Sequence, residues 1–175
     1  MAEPAPDQLR VREAVEGDLA SMRARFGLNG WRKPHGYFEG LFEAAARDEL
    51  CLGIAVDGED YVGHLKVVWR PDYQGFRSAG IPEIQDLAVL PDYRRHGLGS
   101  RLLDWAEQRI ATRSEVAGIG VGLYADYGPA QRMYVGRGYV PDGAGLYSGV
   151  TAVEPGGRVR VDDELVLWLV KRLAE

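Results

Sequence analysis

Residues 90–105 read LPDYRRHGLGSRLLDW, and this junction constrains the chain more than any other stretch. Before it lies PEIQDLAVL (82–90), a run with strand character. After it comes a helix in which Leu98, Leu102, Trp105, Ala106 and Arg109/Ile110 mark one face. Two glycines weaken a helix start and adjacent arginines repel each other, so the pattern points to a partner outside the chain. A helix start exposes unpaired N–H groups and carries roughly +0.5 of a charge. Glycines at 97 and 99 let an anion reach those groups, and Arg94 and Arg95 suit phosphate oxygens. Hydrogen bonds to a charged partner contribute on the order of 1.5–3 kcal/mol each, so several together anchor a diphosphate. The stretch is not a P-loop, since the required lysine is missing, and Leu102 stands where a dinucleotide fingerprint needs its third glycine.

The rest of the chain frames this junction. LRVREAV (9–15) alternates like a half-buried strand, and EGDLASMRARF (16–26) and GYFEGLFEAAARDE (36–49) carry apolar residues at helical spacing. LCLGIAV (50–56) and YVGHLKVVW (61–69) read as a hairpin turning at DGED, followed by a polar loop, RPDYQGFRSAG (70–80). GIGVGLYA (118–125) is a fifth strand so rich in glycine that something must approach its backbone closely. GPAQRMYVGRG (128–138) is a short helix with Pro129 in its first turn, and ELVLWLVKRL (164–173) is the closing strand. Residues 141–163 read as a long loop or an extra hairpin turning at PGG, and residues 1–7 as a flexible N-terminus. The order predicts a mixed α/β architecture in one domain over 1–175.

At 175 residues the chain is long enough for one well-cored domain and short for two. Its formal net charge of −5 argues against nucleic acid or an anionic membrane as a general partner. Cys51 sits in an apolar run and reads as core. MAEPAPDQ has neither a basic nor an apolar stretch, and no segment reaches membrane-spanning length, so a cytoplasmic protein is expected. His35, His64 and His96 fit no zinc spacing, and no metal is expected.

DLAVLPDYRRHGLGSRLL, taken whole, resembles the GNAT superfamily of acetyl-coenzyme A-dependent N-acetyltransferases. AQRMYVGRGY (130–139) is similar to that family's A-x-x-x-Y-x-x-x-G-[FY] segment, and LVLWLVKRL to its last strand. The resemblance covers most of the chain. It implies an α+β fold with a mixed, mostly antiparallel sheet flanked by helices, whose fourth and fifth strands splay apart. It also implies that the backbone around Arg94, Arg95, His96, Gly97, Leu98, Gly99 and Ser100 receives the coenzyme A pyrophosphate. The backbone of Leu87, Ala88 and Val89 would then pair with the pantetheine arm. One departure is Tyr127, where many members carry an asparagine that touches the cofactor.

Acetyl transfer to an amine needs a base or water relay for the ammonium and an acid for the leaving thiolate. The resemblance assigns the acid to Tyr134, which spacing alone reads as core. Glu83 and Asp86 are the candidate bases; strict alternation puts them on opposite faces, a bulge would reverse part of that, and either reads equally as a strand-edge charge. The acceptor walls implied by the family are 27–40, 71–81 and 141–163. They carry Trp31, Tyr37, Tyr73, Phe76 and Tyr147 beside Asp72, Asp142, Glu154, Asp162 and Asp163, a lining suited to a cationic amine. Three readings follow: an N-acetyltransferase acting on a small-molecule amine, a protein or peptide amine acetyltransferase, and a non-catalytic acyl-coenzyme A binding module. The family often dimerises through its late strands, which leaves a homodimer open.

Overall fold

The computed structural model describes residues 9–31 and 33–173, so the expected flexible segment 1–7 lies outside the described residues. Strands β1 (Leu9–Glu13), β2 (Leu50–Asp57), β3 (Asp60–Val68), β4 (Glu83–Val89), β5 (Val116–Gly122), β6 (Val140–Ser148), β7 (Thr151–Ala152) and β8 (Leu165–Arg172) form one sheet. Their order is β1-β2-β3-β4-β5-β8-β6-β7. Helices α1 (Leu19–Leu28), α2 (Tyr37–Ala46), α3 (Gln74–Ala79), α4 (Leu98–Ala111) and α5 (Gly128–Gly136) separate the strands. The sheet is mixed and mostly antiparallel, as expected; β4 and β5 run parallel and pair only at Glu83↔Gly118 and Ile84↔Ile119.

Backbone proximity groups the described residues into two units, the first running through Val68 and resuming over Gln85–Arg109. Here β2, flanked by β1 and β3, is apolar along nearly its whole length. The β2–β3 hairpin turns where DGED predicts, with Asp57 opposite Asp60 and Gly58 in the left-handed region at φ 61°. Met22, Phe26, Phe38, Leu41, Ile54 and Tyr61 pack into one core, each large apolar side chain contributing roughly 1.5–3 kcal/mol by burial. Close approach of two strands explains Gly63: a Cβ there would stand 2.7 Å from the Ala88 carbonyl oxygen. Of the predicted α4 face, Leu98, Leu102, Ala106 and Ile110 are at most 1 % exposed, whereas Trp105 is half-buried, Arg109 is exposed, and Leu103, outside the predicted face, is fully buried.

The second unit comprises Trp69–Ile84 and the described residues from Ile110 onward. Two expectations change here. The stretch 70–80 contains the short helix α3, because Tyr73 and Phe76 are core residues, 3 % and 1 % exposed, packed against Trp168. The hairpin in 141–163 turns at Gly149–Val150, with Tyr147↔Ala152 and Ser148↔Thr151, and PGG only forms a turn in a strandless run. The glycines of β5 give way to the unit's own aromatic rings. Built Cβ atoms on Gly118, Gly120 and Gly122 would fall 2.4, 2.7 and 2.4 Å from Phe76, Trp168 and Tyr127.

Candidate functional site

The junction at residues 90–105 is shaped by its own backbone. Leu90 N donates to Val62 O at 2.9 Å, which fastens the end of β4 to β3. Pro91–Tyr93 make a 3-10 turn, and the Tyr93 hydroxyl donates to Asp57 at 3.0 Å. Arg94 turns back, its Nε donating to Val89 O at 3.0 Å, which ties the loop to the end of β4. Arg95 and Gly97 both take the left-handed conformation, at φ 66° and 76°. Leu98, 1 % exposed, anchors the helix, and Arg101 N makes a bond to Gly97 O at 3.0 Å. Residues 94–97 are exposed, and a Cβ built on Gly97 would meet nothing within 4 Å. The turn therefore presents the opening of a 14-residue helix to whatever approaches it, a geometry suited to an oxyanion.

Immediately upstream, Asp86 interrupts β4 with φ 55°. This left-handed residue breaks strict alternation, which is why the face assignment of Glu83 and Asp86 could not be read from period two. The Asp86 carboxylate accepts from the Tyr37 hydroxyl, from Lys33 Nζ at 3.2 Å and from Lys66 Nζ at 3.1 Å. Beside this cluster His64 is fully buried, its Nδ1 2.7 Å from the Tyr61 hydroxyl and its Nε2 without a hydrogen-bond partner. Burial first, and then the charges of Lys33 and Lys66, hold the imidazole down to about 3, so it is neutral.

Between α1 and α2 an open cleft of about 320 Å³ is lined by Arg23, Trp31, Lys33, Tyr37, Phe38 and Glu39 among others. Trp31 and Tyr37, both expected among the acceptor-wall residues, line it, and Glu39 is the carboxylate among its lining residues. In the second unit, Tyr73 and Phe76 are core, and Asp142 accepts from Tyr73 at 2.6 Å.

In the second unit, Glu83 is 4 % exposed and pairs through its backbone with Gly118. Tyr134 of α5 is 6 % exposed, and burial pushes its hydroxyl up to about 12, so it stays protonated at neutral pH. Tyr127 lies along Gly122 and donates to Asp163 at 3.0 Å; Tyr124 donates to the same oxygen. Burial and that carboxylate raise Tyr127 above the ordinary tyrosine range. The candidate residues thus fall into two groups: Asp86, Leu87–Val89 and Arg94–Ser100 in one unit, and Glu83, Tyr127 and Tyr134 in the other. Sequence reasoning missed the roles of Lys33 and Lys66, which no local pattern marks. Among the described residues no group of three or more His, Cys, Asp or Glu is placed to hold a metal ion, and no helix is long and apolar enough to cross a membrane.

The profile of the family described as Acetyltransferase (GNAT) family matches residues 18–139. A mycothiol acetyltransferase of Thermobifida fusca (strain YX) is 38% identical over 63 residues, which are 35% of this chain and 18% of that protein. The chain therefore spans under a fifth of this relative's length. Ribosomal-protein-alanine N-acetyltransferase from Brucella melitensis superposes with a TM-score of 0.67 at 20% identity, over 94% of this chain and 99% of that one. The yncA structure from Salmonella typhimurium, solved with its cofactor acetyl-CoA, gives 0.69 at 16% identity over 96% and 95%. At such identities these two likenesses speak for the fold.

Proposed function

We propose that this chain, which belongs to the acetyltransferase (GNAT) family, is an acetyl-coenzyme A-dependent N-acetyltransferase that acts on a primary amine of a small molecule. The observation that carries the reading is the open left-handed turn at Arg95–Gly97, which presents the start of α4 shortly after a strand interrupted by the left-handed Asp86. In this reading the amides of residues 95–100 hold the pyrophosphate, the Arg94 amide being bonded to Pro91 O, and the backbone of Leu87, Ala88 and Val89 pairs with the pantetheine arm. Tyr127 fills the place of the usual asparagine, and its hydroxyl is already committed to Asp163.

Acetyl-coenzyme A, as the donor substrate, supplies a thioester carbonyl. The acceptor nitrogen forms the new C–N bond and the C–S bond breaks, within a ternary complex. Tyr134, protonated at neutral pH, gives its hydroxyl proton to the departing sulfur. Glu83 takes the ammonium proton, directly or through water, the second proton that the nitrogen sheds as the amide forms passes to solvent, and solvent exchange restores both side chains. Asp86 acts as a positioning residue, since its carboxylate already receives three donors. The setting in this reading is cytoplasmic.

The test is calorimetry with acetyl-coenzyme A followed by thiol release with a panel of amines. Heat of binding and amine-dependent thiol release are expected. Binding without turnover on any amine would favour the non-catalytic alternative, turnover confined to peptides would favour the protein acetyltransferase, and no binding would overturn the reading.

A further inference from the structure

The chain carries a net charge of −5, yet the cleft between α1 and α2 is not acidic. Its lining includes Arg23 and Lys33 against a single carboxylate, Glu39. Arg23 meets Glu39 at 2.8 Å, while Lys33 is answered from β4, by Asp86. The aromatic faces that would attract a cationic ligand already hold cations of the protein itself. Lys33 Nζ stands 4.5 Å and Lys66 Nζ 5.7 Å from the centre of the Tyr37 ring, and the Arg94 guanidinium 5.6 Å from that of Trp31. The volume, about 320 Å³, is at the small end for a ligand pocket and suits a small molecule.

We propose that this cleft selects a small amine that also carries an oxyanion, a carboxylate or a phosphate, received by Lys33 and Arg23. The proposal rests on the acetyl-transfer reading above and reverses the cationic preference that the sequence suggests. A charged hydrogen bond between ammonium and oxyanion favours such an acceptor, and a polycation entering the cleft meets like charges instead.

The experiment pairs acceptors that differ only in the anion: glutamate and leucine against their carboxamides, and phosphoethanolamine against ethanolamine, with spermidine as the polycation. Acetyl-coenzyme A binding is measured first, by calorimetry, and thiol release then gives kcat/KM for each acceptor. Each oxyanion-bearing acceptor is expected to exceed its neutral partner by about tenfold or more, the worth of one charged hydrogen bond. The two kinds of pair separate carboxylate from phosphate. Lys33→Glu is expected to remove that preference through KM while acetyl-coenzyme A affinity is kept, and Lys33→Gln to give an intermediate loss. Equal or faster turnover of the carboxamides or spermidine overturns the proposal alone; turnover of no member while acetyl-coenzyme A binds overturns it and counts against catalysis as well. Absence of acetyl-coenzyme A binding overturns the parent reading as well.

Discussion

Tyr37 donates its hydroxyl to the carboxylate of Asp86, joining the first residue of α2 to the one left-handed residue within β4. The wall of the cleft, through Tyr37 and Lys33, and the strand proposed to carry the pantetheine arm are therefore tied at one carboxylate. If Asp86 positions rather than abstracts a proton, Tyr37→Phe lowers kcat in the same direction as Asp86→Asn. Neither variant should erase the acidic limb of the kcat/KM pH profile. Loss of that limb in Asp86→Asn alone would make Asp86 the base. Asparagine also tolerates the left-handed conformation, so Asp86→Ala should be less stable than Asp86→Asn by about 1 kcal/mol in denaturant unfolding.

Tyr134→Phe is expected to lower kcat by about 10²-fold while acetyl-coenzyme A affinity stays within error, the signature of a lost acid. Because the wild-type hydroxyl is held up to about 12 by burial, it remains a donor across the usual assay range. Its deprotonation should therefore add no falling limb to the kcat profile between pH 8 and 10. A wild-type kcat in Tyr134→Phe would return this residue to the core.

Gly118→Ala would place a methyl 2.4 Å from the ring of Phe76, itself 1 % exposed. Overpacking of this kind costs roughly 1–3 kcal/mol. An unchanged melting temperature would show that the ring yields freely, and Phe76→Leu should restore part of any loss.

His64 gives a pH test of the fold. The imidazole is held down to about 3 in the fold, against 6.5 for an unperturbed histidine. The unfolded chain thus takes up the proton first, and this contribution is complete above about pH 6.5 and lost as pH falls toward 3. Between pH 7.5 and 5 the wild-type denaturant midpoint should drop, and His64→Asn should show a smaller drop. Parallel midpoints for the two proteins would mean that His64 does not titrate in the unfolded chain alone.

What the sequence discloses is what is local. The span from Asp86 to Leu103 holds a strand end, a turn and a helix start in contiguous residues, so its chemistry could be read without a partner element. The helix α3 could not, because Tyr73 and Phe76 become apolar signals only once Trp168 is there, stacked on Tyr73 at 4.5 Å and edge-on to Phe76 at 5.5 Å between ring centres. Strand β6 hid behind Pro141, Gly143 and Gly145, which read as turn residues. The structure gives them a place: Pro141 faces Leu169 and Leu146 faces Leu167, so four residues of β6 bulge opposite Trp168 alone. The roles of Lys33 and Lys66 depend on Asp86, 53 residues from Lys33 along the chain, and no periodicity carries that information.

One oxygen of Asp163 receives both Tyr124 and Tyr127, and on its other side the run from Val153 begins at the end of β7. Residues 154–161 are exposed throughout and belong to no strand. That stretch is a bridge moored at both banks, and added length at Pro155–Gly157 should be absorbed there without reaching α5. An epitope grafted at this point would leave the melting temperature where it was, whereas the same graft beside Asp163 would cast off the mooring.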